Sequence, residues 1–139
     1  MKETLRYLAG IAGPSGYGSK STAEQVSQDC CSSVPSHLTA IITGATSGIG
    51  AETARVLAKR GVRIVIPARD LGKAAEVKDE IQRESPKAEV IILEIDLSSL
   101  ASVNRFCSEF LALRLPLNIL MYSFLHKQWW SIFSSFGVF

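Results

Sequence analysis

The sequence predicts an α/β fold, a doubly wound parallel sheet of about four strands. Three observations carry that prediction. Short β-branched apolar runs alternate with helical patterns in strict order, as they do where crossover helices join parallel strands. The runs are apolar throughout, which is expected where helices cover both faces of a sheet. A glycine-rich turn links the first run to the first helix, at the place where open α/β sheets hold their ligands.

The elements follow in order. Residues 38–43, Leu-Thr-Ala-Ile-Ile-Thr, read as a buried strand. Residues 49–60 read as a helix that ends at Gly61, since glycine takes the left-handed conformation that closes a helix. Residues 62–67 contain Ile64-Val65-Ile66 and form the second strand; residues 71–84 form the second helix of this series. Residues 88–95, around Val90-Ile91-Ile92-Leu93, form the third strand. In the helix over 98–112, Leu100, Val103, Phe106 or Cys107, and Phe110 recur at helical spacing and predict one buried stripe. Ser98 or Ser99 caps it, and Pro116 prevents it from continuing into the fourth strand at 116–121. Ahead of all these, Ser21 or Thr22 followed by Glu24 and Gln25 predicts a short capped helix to about Gln28.

Composition narrows the function classes. A chain of 139 residues is one domain's worth, and a net charge of +2 with interspersed signs carries no nucleic-acid footprint. Cys30, Cys31 and Cys107 lack the C-x-x-C spacing of a metal site and do not suit a disulfide scaffold, so no metal is expected. Residues 1–37 form an amino-terminal extension with too short an apolar core for a secretory signal. Its serines suit a transit peptide, whereas Glu3, Glu24 and Asp29 do not. Residues 121–139 form a tail that holds both tryptophans and no acid. A membrane span there is interrupted by His126, Lys127 and Gln128, interfacial adsorption is a second reading, and a tail of unrelated sequence is the third.

The chemistry sits in Thr43-Gly44-Ala45-Thr46-Ser47-Gly48-Ile49-Gly50. A strand, a glycine turn and a helix amino terminus make an anion site, because unpaired N–H groups and the helix dipole both point at it. Glycine is required where the backbone turns tightly or a pyrophosphate comes close. With this turn in place the sheet reads as a partial Rossmann type, and residues 38–120 as a nucleotide-binding half.

The spacing T-G-x-x-x-G-I-G resembles the cofactor turn of the short-chain dehydrogenase/reductase family. Residues 64–70 resemble that family's second strand and the turn after it. Residues 90–97, which end in Asp96-Leu97, resemble its third strand. Residues 13–19 and 21–26 are similar to the amino-terminal segment of plant members related to the Tic-complex dehydrogenase of the chloroplast inner envelope. The resemblance runs from about Gly13 to Leu120, after which Met121-Tyr122-Ser123-Phe124-Leu125 stands where the family has Asn-Asn-Ala-Gly; the chain reads as truncated there, with a tail such as alternative splicing or a gene-model error produces.

The resemblance implies an NADP(H)-binding oxidoreductase, placed in the chloroplast at the inner envelope with a protein partner there, and otherwise cytoplasmic. It assigns phosphate binding to Gly44 through Gly50, and adenine recognition to the Asp96 carboxylate and the Leu97 N–H. Asp96 can equally cap the helix that follows. Arg69, at the end of the second strand, favours NADP over NAD, because a guanidinium accommodates the 2′-phosphate whereas NAD enzymes carry an acid there. Asp70 leaves an alternative open, since it can cap the next helix or bind a 2′-hydroxyl. Lys59, Arg60 and Arg63 read as solvated charges.

Family catalysis relies on a tyrosine with a lysine four residues later. The tyrosines here are Tyr7, Tyr17 and Tyr122, and four residues beyond them lie Ile11, Ser21 and His126. No catalytic residue is therefore assigned. His37 and His126 lack an orienting acid in sequence and read as incidental. Three hypotheses follow: the cofactor-binding portion of an NADP-dependent short-chain dehydrogenase, inactive alone; a non-catalytic NADP(H)-responsive interaction protein; and a membrane-surface protein anchored by its aromatic tail. The expected properties are weak NADPH binding, lost when Gly48 is made bulky, and low solubility from an open edge beside 116–121.

Overall fold

The structure, a computed structural model, describes residues 16–18, 20–30 and 37–122. The expectations for Cys31, His126, the tail over 123–139 and residues 1–15 lie outside the described residues. In chain order the elements are α1 (Ala23–Cys30), β1 (Thr39–Thr43), α2 (Gly48–Lys59), β2 (Arg63–Ala68), α3 (Leu71–Glu84), β3 (Val90–Glu94), α4 (Leu100–Ala112) and β4 (Ile119–Tyr122). The four strands are parallel, in the order β3-β2-β1-β4. The chain thus winds outward from β1 through β2 to β3, then returns across β1 to lay β4 on its other side.

Alternation along the central strands divides the core between the two faces. Ala40 and Ile42 of β1, with Ile64, Ile66 and Ala68 of β2, pack beneath Ala54 and Ala58 of α2 and Ala74, Val77 and Ile81 of α3. Ile41 and Val65 point the other way, to Val103, Phe106 and Phe110 of α4. Both faces of β1 and β2 are therefore buried, as uniformly apolar strands require. The outer strands depart from that expectation: β3 is half-buried along most of its length and β4 is largely exposed. An edge strand has a neighbour on one side only, and Leu120, Met121 and Tyr122 remain in part open to solvent.

Local chemistry explains the boundaries. Thr22 and Gln25 form a capping box at the start of α1: the Gln25 N–H donates to Thr22 Oγ1 at 3.2 Å, and the Thr22 N–H donates to Gln25 Oε1 at 3.0 Å. Helix α2 closes in a Schellman motif on Gly61, whose φ is 82°, with the Val62 N–H donating to the Leu57 carbonyl at 3.2 Å and Gly61 to Ala58 at 2.9 Å. Pro67 contributes no N–H, and the β1–β2 ladder stops at Ile41 and Val65, whereas β2–β3 continues to Ala68 and Glu94. Asn118 fixes the start of β4, accepting from the Thr39 N–H through Oδ1 at 2.9 Å and donating its own N–H to the Thr39 carbonyl at 3.1 Å.

Two expectations need correction. Leu100 does not join the stripe of α4 but is 64% exposed, at the first position of the helix, whereas Val103, Phe106 and Phe110 are buried. Cys107 packs half-buried against the α4-side core, and burial raises its thiol pKa. Nor are Lys59, Arg60 and Arg63 merely solvated. Lys59 pairs with Glu24 at 2.6 Å and Glu84 at 3.0 Å, the Arg60 guanidinium donates to Ser27 Oγ and the Glu24 carbonyl, and Arg63 pairs with Glu89. Each partner is remote in sequence, so no local pattern announced it.

Candidate functional site

The strand order reverses between β1 and β4. In open parallel sheets that switch point leaves a crevice outside the carboxyl ends of the strands, because successive connections depart to opposite sides. The glycine turn after β1 leads out at this crevice. Gly44 has φ 71° and Gly48 φ 56°, both in the left-handed region that glycine enters at little cost. Between them Ala45 is buried in the core, Thr46 is half-buried, and Ser47 is exposed.

Ser47 occupies the N-cap position of α2, yet its side chain makes no capping bond. The first helical bond runs from the Ala51 N–H to the Ser47 carbonyl at 3.4 Å, so the preceding N–H groups of Gly48, Ile49 and Gly50 lead the helix. The two glycines of α2 then differ in what they do. A Cβ on Gly48 would meet nothing within 4 Å. On Gly50 a Cβ would strike the Gly44 carbonyl oxygen and lie 2.8 Å from the Gly44 carbonyl carbon and 3.1 Å from Ala45 Cα. Gly50 therefore lets α2 close on the end of β1, whereas Gly48 borders open space and is set by its positive φ. Ile49 stands 82% exposed beside it.

The ends of β2 and β3 supply the rest. Arg69 is exposed directly after β2, and its guanidinium contributes to holding the Asp96 carboxylate below its ordinary pKa, after the larger effects of the Ser98 hydroxyl and the Ser98 N–H. The Asp96 Oδ1 accepts from Ser98 Oγ at 2.7 Å and from the Ser98 N–H at 3.0 Å. The Asp96 N–H in turn donates to Ser102 Oγ at 2.8 Å. Ser102, in the first turn of α4, thereby fixes the Asp96 backbone, a contact that no motif in the sequence announces. The cap of α4 is Ser99, which accepts from the Ser102 N–H at 3.3 Å, so Asp96 closes its own turn and not the helix. Leu97, next in the chain, is 38% exposed.

Asp70 is committed elsewhere. Its Oδ1 caps α3, accepting from the Gly72 and Lys73 N–H groups at 3.1 and 3.2 Å, and its Oδ2 lies 3.9 Å from Lys73 Nζ. Asp70→Ala is expected to cost about 1 kcal/mol of stability, and Asp70→Ser almost none, in urea denaturation. An alanine variant as stable as the parent would mean that the cap is idle and the carboxylate available to a ligand.

Of the candidate proton donors, the Tyr17 hydroxyl donates to Asp29 Oδ2 at 3.2 Å, beside α1. Tyr122 ends β4 in register with Thr43, half exposed and close to the glycine turn. Among the described residues no group of three or more His, Cys, Asp or Glu could hold a metal ion, and no helix is long and apolar enough to cross a membrane.

This arrangement, a glycine turn opening the first crossover of a 3-2-1-4 parallel sheet, defines a Rossmann-type α/β domain. The family model described as short chain dehydrogenase matches residues 38–123, and the chain belongs to that family. The chain is 52% identical over 119 residues to "Short-chain dehydrogenase TIC 32 B, chloroplastic" of Brassica napus, covering 86% of this chain and 36% of that protein. A metagenomic short-chain oxidoreductase solved in complex with NADP is 34% identical with a TM-score of 0.55, over 60% of this chain and 37% of that one. An alcohol dehydrogenase from the archaeon Thermococcus sibiricus, complexed with 5-hydroxy-NADP, is 30% identical with a TM-score of 0.55, over 60% of this chain and 35% of that one. The chain spans little more than a third of the length of these relatives.

Proposed function

We propose that this chain is the NADP(H)-binding portion of a short-chain dehydrogenase/reductase, an oxidoreductase of the carbonyl and alcohol class, and that the 139 residues do not turn over substrate by themselves. One observation carries the reading: the uncapped start of α2, opened by Gly48, lies at the switch point between β1 and β4. An uncapped helix start with clear space ahead of it suits a pyrophosphate, which supplies the acceptors that a capping side chain would otherwise provide. In this reading residues 38–120 form the binding half, and Gly44, Ala45, Thr46, Ser47, Gly48, Ile49 and Gly50 line the phosphates. Asp96 and Leu97 meet the adenine.

The preference for NADP over NAD rests on Arg69. Asp70 turns one carboxylate oxygen to the α3 cap, and the exposed Arg69 guanidinium directly after β2 suits a 2′-phosphate. The bound NADP of the similar metagenomic oxidoreductase supports the same choice. The chloroplast label of the Brassica napus relative supports placing this chain in that organelle. A position at the inner envelope with a protein partner is the finer form of that reading, and rests on the likeness of residues 13–26 to the plant subgroup.

Isothermal titration tests the cofactor. NADPH is expected to bind more tightly than NADH, and Arg69→Ala to cost NADPH about 1.5–3 kcal/mol, roughly ten- to a hundredfold in affinity, while leaving NADH unchanged. If the variant keeps its preference for NADPH, the 2′-phosphate site lies elsewhere.

A further inference from the structure

Helix α1 is attached differently from the other described helices. Helices α2, α3 and α4 each bury apolar side chains in a core; α3 contributes Ala74, Val77 and Ile81, and α4 contributes Val103, Phe106 and Phe110. No described side chain of α1 belongs to either core, and Val26 is its one aliphatic branched side chain, half-buried. Among the described residues, the side-chain contacts that fasten α1 to α2 are polar. The Glu24 Oε1 lies 2.6 Å from Lys59 Nζ and 3.5 Å from Arg55 Nη1, both on α2. The Arg60 guanidinium donates to Ser27 Oγ at 3.1 Å and to the Glu24 carbonyl at 3.2 Å. An eight-residue helix is too short to be stable without such contacts, even with a capping box.

The cations on α2 do not depend on α1. Arg55 keeps Glu52 at 2.5 Å and Glu84 at 2.8 Å, and Lys59 keeps Glu84 at 3.0 Å. Lifting Glu24 away therefore leaves neither Arg55 nor Lys59 without a counter-ion, and the charges involved are close to solvent. We propose that α1 is a salt-releasable latch: a helix that docks on the carboxyl-terminal half of α2 through Glu24 and detaches while the four-strand sheet stays folded. Docking by exposed ion pairs is screened by added salt, whereas burial in the sheet core is not. The latch sits roughly 16 Å along α2 from Gly48, eleven residues at the helical rise, so release leaves the glycine turn in place.

Amide hydrogen exchange on the full chain tests this at 50 and 500 mM sodium chloride. The amides of residues 26–30 are expected to exchange roughly three- to tenfold faster at high salt, with those of β1 and β2 unchanged. Glu24→Gln should reproduce the faster exchange at low salt and remove the salt response, because glutamine has nearly the same helix propensity. Lys59→Gln, which lies outside α1 and leaves its intrinsic helicity untouched, should do the same. Salt-independent α1 amides that also ignore both single substitutions would overturn the latch, and so would α1 and sheet amides that speed up together.

Discussion

Gly50→Ala is expected to lower the stability of the chain by about 1–3 kcal/mol, the usual cost of overpacking, and to abolish measurable NADPH binding. The added methyl would have to occupy the place of the Gly44 carbonyl, which is backbone and cannot rotate aside as a side chain can. Either α2 lifts from the end of β1 or the turn at Gly44 rearranges, and in both cases the N–H groups of residues 48–50 lose their aim. Gly48 provides the contrast. Its φ of 56° is one that asparagine tolerates, and a Cβ there meets no protein atom within 4 Å. Gly48→Asn should therefore keep nearly the parent stability while placing its side chain in the space assigned to the phosphates, and lose NADPH for that reason alone. Thermal unfolding with parallel fluorescence titration of NADPH separates the two effects. A Gly50 variant with the parent's melting temperature would show that α2 has slack against β1, and that the close approach does not shape the site.

The same pair of residues shows how much of the site was legible from sequence. A strand, a glycine turn and a helix in succession point to the proposed anion site from sequence alone, because glycine placement there is dictated by the backbone itself. The division of labour between Gly48 and Gly50 was not legible, since it depends on where the Gly44 carbonyl lands in space. Asp70 and Asp96 were each left with two roles. Structure assigns the α3 cap to Asp70 and the α4 cap to Ser99, and each outcome turns on which N–H groups fall within reach. The parallel four-strand sheet and the apolar central strands followed from the sequence pattern, which is local and strong in β1 and β2, whereas the order β3-β2-β1-β4 did not. Glu24, Arg55, Lys59 and Glu84 escaped it entirely, because they come from three helices that meet only in the folded chain.

Purified, the 139-residue chain with NADPH and a panel of aldehydes, ketones and quinones is expected to show no loss of reduced-nicotinamide absorbance above a blank. Hydride transfer requires the nicotinamide to be held against a carbonyl, with a proton donor in hydrogen-bond reach of its oxygen. A tyrosine serves when an ammonium on the same helix face stabilises its phenolate, and a spacing of four residues provides that face. None of Tyr7, Tyr17 and Tyr122 has a lysine at that distance; Lys127 comes five residues after Tyr122, which itself ends strand β4. Tyr17 is hydrogen-bonded to Asp29 beside α1, whereas the proposed phosphate site lies at the opposite end of α2. Tyr122 is the one described phenol near the glycine turn, through its register with Thr43. A missing general acid typically costs 10²–10⁴-fold in rate, and poor orientation of the nicotinamide compounds the loss. Turnover abolished by Tyr122→Phe or His126→Ala would show that β4 and the residues after it form an active site of their own. Turnover that survives both would mean that the proton comes from a group outside this reading. In either case the proposal that the 139 residues bind the cofactor without using it would fall, while the assignment of the glycine turn would stand on the binding data alone.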